Sequence, residues 1–426
     1  MFFDGITVPI LQVSFSMDLT VVPPSSPIVD PGATRFVLDR DHLDTGQLGT
    51  TEWFDFSADT IQVSYSSGQA GELDSPTPGH CTVVLDNFSG NYDPSNSSGL
   101  YYTYFQLGIP VWIRAIWAGV TYDLWRGNVS DISVDAGFTP QTTVTCDDAL
   151  EVMGRAQFVS SYPDADATGT RIGRILDAAQ WPSSLRSLDT GYSLCQATND
   201  AATSALQQLT DTVATELGLL VADGSGNVAF YDRLHPYLST RSTSVQATFS
   251  DVGTDIDMLT IVQDRSNSLL YNQTRITRNG GTEQVFDATS TGMFGQTSQQ
   301  QFGVRTYAGQ AGTLLRSDPD AYALGGFIVA RFQYPTDRLL QINVDGAAQG
   351  QWTNLLGIRY LDRVRAIRDY GPNTIDKQGA VIGIAGDITE DSWQFTFNTR
   401  NIDDFAPFIL DNTTYGKLTT GPGKLA

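Results

Sequence analysis

Short apolar strands separated by turn-forming residues occupy positions 82–131. The strand Val83–Leu85 is followed by a cluster rich in Asp, Asn, Ser, Gly and Pro. Asn and Asp side chains bond nearby backbone groups and Gly tolerates positive φ, so this cluster predicts turns. The strands Val111–Trp117 and Tyr122–Trp125 then flank Ala118-Gly119, which we interpret as a hairpin turn. The stretch therefore indicates an antiparallel β-barrel or β-sandwich.

The two-residue period also appears earlier in the chain. Ile61, Val63 and Tyr65 alternate with polar residues and are predicted to share one face of a strand. The alternation at Val144 and Cys146 predicts a last strand before the pattern changes. We therefore predict a first β domain over residues 1–150.

A helical period follows. Ile172, Ile175, Leu176 and Ala179 recur at i, i+3, i+4 and i+7, which predicts one buried helix face. The apolar pattern from about Asp200 to Leu217 predicts a second helix. Thr198 or Asn199 are its candidate N-caps, and Gly218 is the expected stop.

A hairpin completes this middle part of the chain. The turn-forming run Asp223–Asn227 lies between two apolar segments, as expected for a hairpin. Residues 151–240 are thus predicted to be an α+β insert of two helices and a hairpin.

Two-residue alternation returns from about residue 245. The turn Asn279-Gly280-Gly281 is a strong hairpin signal. Leu340, Ile342 and Val344 alternate with polar residues, and so do the aromatic residues of 393–397. We predict a second β domain over residues 241–400 and a loose tail over 401–426. The fold class is therefore mainly β with an α+β insert.

Two segments of this second domain are less regular. Residues 321–332 have a helical pattern, but Gly325-Gly326 in the middle weakens it, so a helix remains one of two interpretations. The polar run Ser298–Gln301 is expected to be a loop.

The charge of the chain limits what it binds. The formal net charge is −22, from 47 acidic and 25 basic side chains. Nucleic-acid phosphate is held mainly by Lys and Arg, so bulk electrostatic binding of DNA is excluded. An acidic protein can still line a passage through which DNA slides without sticking. The alternative is that the charge only keeps the surface soluble.

The cysteines predict no disulfide framework. Cys81, Cys146 and Cys195 are few, odd in number and widely spaced. We expect them to be small buried hydrophobic side chains in a reducing cytosol. The N-terminus lacks a basic region and carries Asp4, so no signal peptide is expected, and no apolar run is long enough for a membrane span.

No catalytic or metal-binding constellation is predicted. The loop Asp86–Asp93 fails the EF-hand spacing because position 3 is Phe88, which favours an Asx-rich turn. A few residues were considered for other chemistry. The histidines are His42, His80 and His235; the carboxylates considered for glycoside hydrolysis are Glu151, Glu216, Glu283, Glu390 and Asp391; the aromatic residues considered for sugar stacking are Trp112, Trp117 and Trp125. We expect surface acids and core aromatics instead, and therefore no catalytic, metal or cofactor site.

The order of several motifs resembles the minor tail proteins, or tail-tip hubs, of long-tailed phages that infect actinobacteria. The matching stretches span most of residues 51–400 and include LDNFSGNYDP, LGIPVWIRA and YDLWRGNVSDI within 85–132, IGRILDAAQWP at 172–182 and YNQTRITRNGG at 271–281. Gln180 departs from the pattern, since a small residue or Gly is usual there.

The resemblance implies two tail-tube-like β-barrels per chain and a structural role without enzymatic activity. It implies a homotrimer whose six barrels match a sixfold tube to a threefold tip. The expected neighbours are the tail tube or distal tail protein, the tape measure protein and other tip or fibre proteins, with DNA only in transit. The expected location is the virion tail tip, assembled in the bacterial cytoplasm.

Two alternatives remain open from the sequence. The first is a tip protein that binds or degrades host cell-surface carbohydrate. The second is a hexameric distal tail protein. A trimer favours the hub, a hexamer favours the distal tail protein, and binding to purified cell wall favours the surface-binding protein.

Overall fold

The chain is mainly β with a smaller helical part, as the sequence predicts. The computed structural model describes residues 2–3, 6–17, 52–251, 253, 255–292, 294–346 and 351–402. His42 and residues 403–426 of the predicted tail 401–426 lie outside the described residues, whereas Asn401 still belongs to a strand. No described helix is both long and apolar enough to cross a membrane.

The first 150 residues contribute strands almost exclusively. Apart from the 3₁₀ turn Ser57–Asp59, the described elements are β1 (Phe2–Phe3), β2 (Ile6–Thr7), β3 (Ile10–Met17), β4 (Glu52–Asp55), β5 (Thr60–Gly68), β6 (His80–Asp86), β7 (Pro110–Trp117), β8 (Val120–Asp135) and β9 (Gln141–Asp147).

The middle of the chain mixes helices with short strands. These are α1 (Ala149–Arg155), β10 (Gln157–Tyr162), β11 (Asp166–Ala167), α2 (Thr168–Ala178), the 3₁₀ turn Ser183–Leu185, β12 (Arg186–Leu188), β13 (Leu194–Cys195), β14 (Thr198–Ser204), α3 (Ala205–Glu216), β15 (Leu219–Ala222), β16 (Val228–Tyr231), α4 (His235–Leu238) and α5 (Thr240–Thr243).

The last part of the chain returns to strands, with three described helices among them. The elements are β17 (Val245–Ser250), β18 (Thr260–Asp264), β19 (Gln273–Arg278), β20 (Gln284–Asp287), α6 (Ser298–Phe302), β21 (Thr306–Thr313), α7 (Asp318–Phe332), β22 (Arg338–Asp345), α8 (Trp352–Leu356), β23 (Arg363–Tyr370), β24 (Asn373–Thr389) and β25 (Trp393–Asn401).

One sheet of 13 strands unites the two β-rich parts of the chain, a feature that the sequence does not predict. Its main path is β18-β22-β25-β24-β5-β6-β9-β8-β7-β3-β4, and β17 and β23 branch from β24. The long strand β24 makes the connection: its first half pairs with β23, and its second half pairs antiparallel with β5. Among the described strands the sheet is open, with β18 and β4 at its ends.

The buried side of this sheet is one hydrophobic core. A single cluster includes Phe15 and Val83 from the first β-rich part and Phe249 and Phe397 from the last. Trp352 of α8 is fully buried, with its ring centroid 6.2 Å from that of Trp117 and 5.5 Å from that of Trp393. Burial of large aromatic side chains is the main stabilising term in such a core, so the two β-rich parts stabilise each other.

Residues 273–332 form a separate unit. The strands β19, β20 and β21 make their own sheet in the order β20-β19-β21, and α7 packs on β19 and β20. The predicted hairpin at Asn279-Gly280-Gly281 is confirmed. The segment 321–332 is a helix despite Gly325-Gly326. A β-carbon at Gly325 would lie only 2.5 Å from the Thr274 hydroxyl. Close packing of α7 on β19 therefore requires the glycine.

Three local predictions are wrong. The second helix begins at Ala205 and not near Asp200, because Thr198–Ser204 pairs with β10 and Ser204 supplies the N-cap. Leu217, rather than Gly218, takes the left-handed conformation at its end. Ser298–Gln301 is helical, because Thr297 and Gln300 form a capping box.

A fourth wrong prediction concerns Ile61, which was predicted to share one face of the strand with Val63 and Tyr65. Its exposure is 40%. The register with β6 shifts between Thr60 and Gln62, and such a bulge rotates the side chain away from the core.

Candidate functional site

A polar surface on the solvent side of the large sheet spans both β-rich parts. We call it the polar face and define it by alternate positions of β18, β22, β25, β24, β5, β6 and β9. They are Thr260; Gln341, Asn343 and Asp345; Gln394, Thr396 and Asn398; Ala385 and Asp387; Gln62, Ser64 and Ser66; His80 and Thr82; Thr143, Thr145 and Asp147. Their side chains are exposed or half-buried, whereas the alternating residues are mostly buried.

The strand register aligns these residues in rows across the sheet. One row pairs Gln394 with Asp387, Asp387 with Ser64, Ser64 with Thr82, and Thr82 with Thr145. Side chains directly opposite on neighbouring strands are close enough to interact. The polar face is therefore continuous across the β24–β5 junction.

Side-chain hydrogen bonds run across the strands of the polar face. The Asn343 amide donates to Thr260 Oγ1 over 2.7 Å, and Thr396 Oγ1 donates to the Asn343 carbonyl over 2.9 Å. At the junction, Gln62 Nε2 donates to an Asp387 carboxylate oxygen over 2.8 Å. These contacts hold the polar groups to one another and so favour a well-ordered surface.

The charge of the polar face is acidic. Its ionisable residues are Asp147, Asp345, Asp387 and His80, and none of its defining positions is Lys or Arg. His80 Nδ1 lies 2.8 Å from Asp147 Oδ1, and Arg155 of α1 reaches the other oxygen of Asp147 at the margin, at 3.3 Å. At its defining positions, phosphate groups therefore meet no lysine or arginine.

The arginines nearest along the sheet belong to a different cluster. The guanidinium carbons of Arg114 and Arg126 lie 4.3 and 4.7 Å from the Trp112 ring centroid, and the Trp53 ring lies 5.5 Å away. Trp112 is thus covered by its neighbours, Trp117 packs on Trp352, and Trp125 is buried. The three tryptophans considered for sugar stacking do not form an exposed platform.

The structure does not bring the candidate carboxylates together. Glu151 pairs with Arg155 and Glu283 with Arg275. Glu216 is fully buried and accepts from the backbone N–H of Ser193 over 2.7 Å. Each of these three carboxylates has its own structural partner, whereas a glycosidase needs two that face one cleft. Glu390 and Asp391 occupy the turn between β24 and β25.

The other candidate residues have structural surroundings. Within 86–93, Asp86 accepts from the Phe88 N–H over 3.0 Å, the geometry of an Asx turn. The His235 ring nitrogen lies 2.8 Å from Asp189. No group of three or more His, Cys, Asp or Glu residues within the described part of the chain is arranged to hold a metal.

Two of the three cysteines are neighbours, which their spacing in the sequence does not reveal. Cys81 of β6 lies directly opposite Cys146 of β9 in the antiparallel register. Both are free and buried, and burial raises the pKa of both thiols. Cys195 is also buried, and its pKa rises to about 12. Because the thiolate is the reactive species, all three are inert near neutral pH.

Asp148, next to the polar face, is expected to make the stability of the fold depend on pH. It caps α1 by accepting from Leu150 N–H and also accepts from Gly79 N–H. Burial raises its pKa to about 7 although these bonds oppose the shift. In the unfolded chain the pKa of an aspartate is about 3.9, so the folded chain binds this proton more tightly. The free energy of unfolding therefore falls as the pH rises from about 4 to about 7.

We expect Asp148→Asn to remove this loss, which is on the order of 2–4 kcal/mol. The free energy of unfolding in urea, measured at pH 5 and pH 8, gives the difference for each protein. Asp376→Asn is the control: the hydrogen bond from Arg365 lowers the pKa of Asp376, so this carboxylate is ionised in the folded and unfolded chain at both pH values, and its removal should leave the difference unchanged. An unchanged difference in Asp148→Asn would contradict the assignment.

Proteins of known structure share this architecture, although their sequences differ. No protein-family model and no curated protein matches the sequence. Among solved structures, the tail protein from Neisseria meningitidis MC58 matches with a TM-score of 0.52 at 11% identity, over 80% of this chain and 92% of that one. The chain has the fold of a phage tail protein. A 43 kDa tail protein of prophage MuSo2 from Shewanella oneidensis matches equally well, with a TM-score of 0.52 at 11% identity, over 83% of this chain and 94% of that one.

Proposed function

We propose that the chain is a structural subunit of a phage tail, positioned at the tip hub, and that its polar face lines the channel through which DNA passes. The observation that carries the proposal is the polar face itself, which is continuous across both β-rich parts and has no Lys or Arg at its defining positions. The fold shared with two solved tail proteins supports the assignment to a tail.

The electrostatics suit a channel for DNA. A lumen must not retain the phosphate backbone, and retention comes from Lys and Arg contacts that release counterions. The polar face offers hydroxyl, amide and carboxylate groups, and the whole chain has a net charge of −22. DNA therefore passes along this surface without a strong binding site.

The architecture also suits a ring. Each chain contributes two β-rich parts to one sheet, so three chains supply six such parts and match a sixfold tube to a threefold tip. Strands β18 and β4 end the sheet, and an edge strand presents unpaired backbone groups to a neighbouring chain. In this proposal the partners are the tube above, the tape measure protein and the tip proteins below, and the chain is not an enzyme.

The mass of the purified protein in solution, combined with negative-stain images, tests the proposal. We expect closed rings of three chains with six lobes. Rings of six chains would replace the hub with a distal tail protein. A chain that remains a monomer alone and with tube protein present would overturn the ring and favour a role at the host cell surface.

A further inference from the structure

A pocket away from the polar face contains a buried arginine whose charge is not fully matched. It has a volume of about 70 Å³ and lies between the segment 72–76, α3 and α7. Its apolar wall includes Val213, Leu217 and Phe327. A single water needs about 10–15 Å³ on this scale, so the pocket has room for a small ligand.

Arg400 of β25 lines this pocket and is 93% buried, since its exposure is 7%. Its Nε and Nη2 atoms have no hydrogen-bond partner among the described residues. Burial and the neighbouring Arg331 charge lower its pKa to about 10. A buried guanidinium without hydrogen bonds is costly, and such groups normally have a partner.

The nearby acids pair with other groups, although Glu72 Oε1 has an ion pair and no hydrogen-bond partner. Glu72 is ion-paired with Arg331, which also donates to the Asn401 carbonyl over 2.5 Å. Asp74 Oδ2 accepts from the Gly71 N–H over 2.6 Å. Glu72 and Asp232 attract the Arg400 charge through space, but neither is hydrogen-bonded to it in the described structure. The donors of Arg400 are therefore left for an acceptor from outside.

We propose that this pocket binds one carboxylate on a short aliphatic stem, with the carboxylate on Arg400 and the stem against Val213, Leu217 and Phe327. A carboxylate is the acceptor that fits a guanidinium best, and the apolar wall favours an aliphatic stem. A free short-chain acid or the side chain of a glutamate from a neighbouring chain supplies the same chemistry. The binding step does not depend on the proposed role in a tail.

Isothermal titration of the full chain with butyrate and hexanoate tests the binding, with hexanamide as the uncharged analogue. We expect saturable binding of the acids, and at least tenfold weaker binding of the amide. Arg400→Gln should abolish acid binding, whereas Arg365→Gln, an exposed arginine paired with Asp376, should leave it unchanged. No binding to the wild type would mean that water alone fills the pocket, which would overturn the proposal.

A second variant covers the case in which Arg400→Gln does not fold. Ala214→Phe keeps Arg400 and fills the pocket from α3, so it should abolish acid binding. Binding that survives this substitution would contradict the site. Mass measurements with and without hexanoate then separate the two sources of the carboxylate. If the natural occupant is a glutamate of a neighbouring chain, hexanoate competes with it and suppresses ring assembly. If the natural occupant is a free acid, ring assembly is unchanged. Failure to form rings at all would affect only the proposed tail function.

Discussion

Gly383→Val is expected to lower the free energy of unfolding by about 3 kcal/mol, because it overpacks the junction between the two β-rich parts. A β-carbon at Gly383 would lie 2.3 Å from the Gln69 carbonyl oxygen and 3.0 Å from Asn398 Nδ2. The opposing residue, Gly68, is equally confined: its β-carbon would lie 2.4 Å from the Ile382 carbonyl oxygen, and its φ is +90°. Backbone atoms on both sides leave no route for relaxation.

Urea unfolding followed by tryptophan fluorescence and circular dichroism measures this effect. Gly137→Ala is the control, since its nearest neighbour is Asp135 Oδ1 at 3.4 Å, and we expect a change within about 0.5 kcal/mol. If the valine variant does not fold, Gly383→Ala serves in its place, because alanine adds a smaller side chain. Equal stability of Gly383→Ala and Gly137→Ala would show that the junction is not closely packed.

Most strands could be predicted from the sequence because their period is local. The alternation of Leu340, Ile342 and Val344 with polar residues predicted β22, and the same pattern predicted β25. Ile342 and Val344 are buried, but Leu340 is half-buried and Leu339 is buried in its place. The same alternation placed six of the 17 polar-face residues on the outward side, Asn343 and Thr396 among them. The resemblance to tail proteins predicted an architecture whose β-rich class and tail-protein fold are confirmed.

What could not be predicted depends on contacts between distant residues. Nothing in the local pattern pairs β24 with β5, which are more than 300 residues apart in sequence at Asp387 and Gln62. The cross-strand position of Cys81 and Cys146 likewise follows from the pairing of β6 with β9. The Arg400 pocket requires three segments to meet, so an isolated arginine in a strand gave no signal. The predicted domain limits 1–150, 151–240 and 241–400 stay predictions, although one sheet contains strands from both the first and the last of these ranges.

The polar face gives the second large expected effect, a gain of DNA binding. Gln394, Asp387 and Ser64 are neighbours in one row. Replacing all three with lysine places a basic row on the surface that we propose to face DNA. The added lysines provide phosphate contacts. Each contact adds about −0.9 to the slope of the logarithm of the binding constant against the logarithm of the salt concentration. The wild-type protein should not bind duplex DNA detectably at about 50 mM salt.

Fluorescence anisotropy with a labelled duplex, on assembled particles, measures this gain over a range of salt concentrations. We expect the triple lysine variant to bind at low salt and to lose the DNA as salt increases. The first control, Asp387→Asn with Ser64→Asn, changes the same row without adding positive charge and should not bind. The second control, Glu283→Lys with Gln301→Lys, adds lysines to the separate 273–332 unit. Binding by this second control as strong as that of the lysine row would show that DNA responds to total charge, and the channel assignment of the polar face would fail.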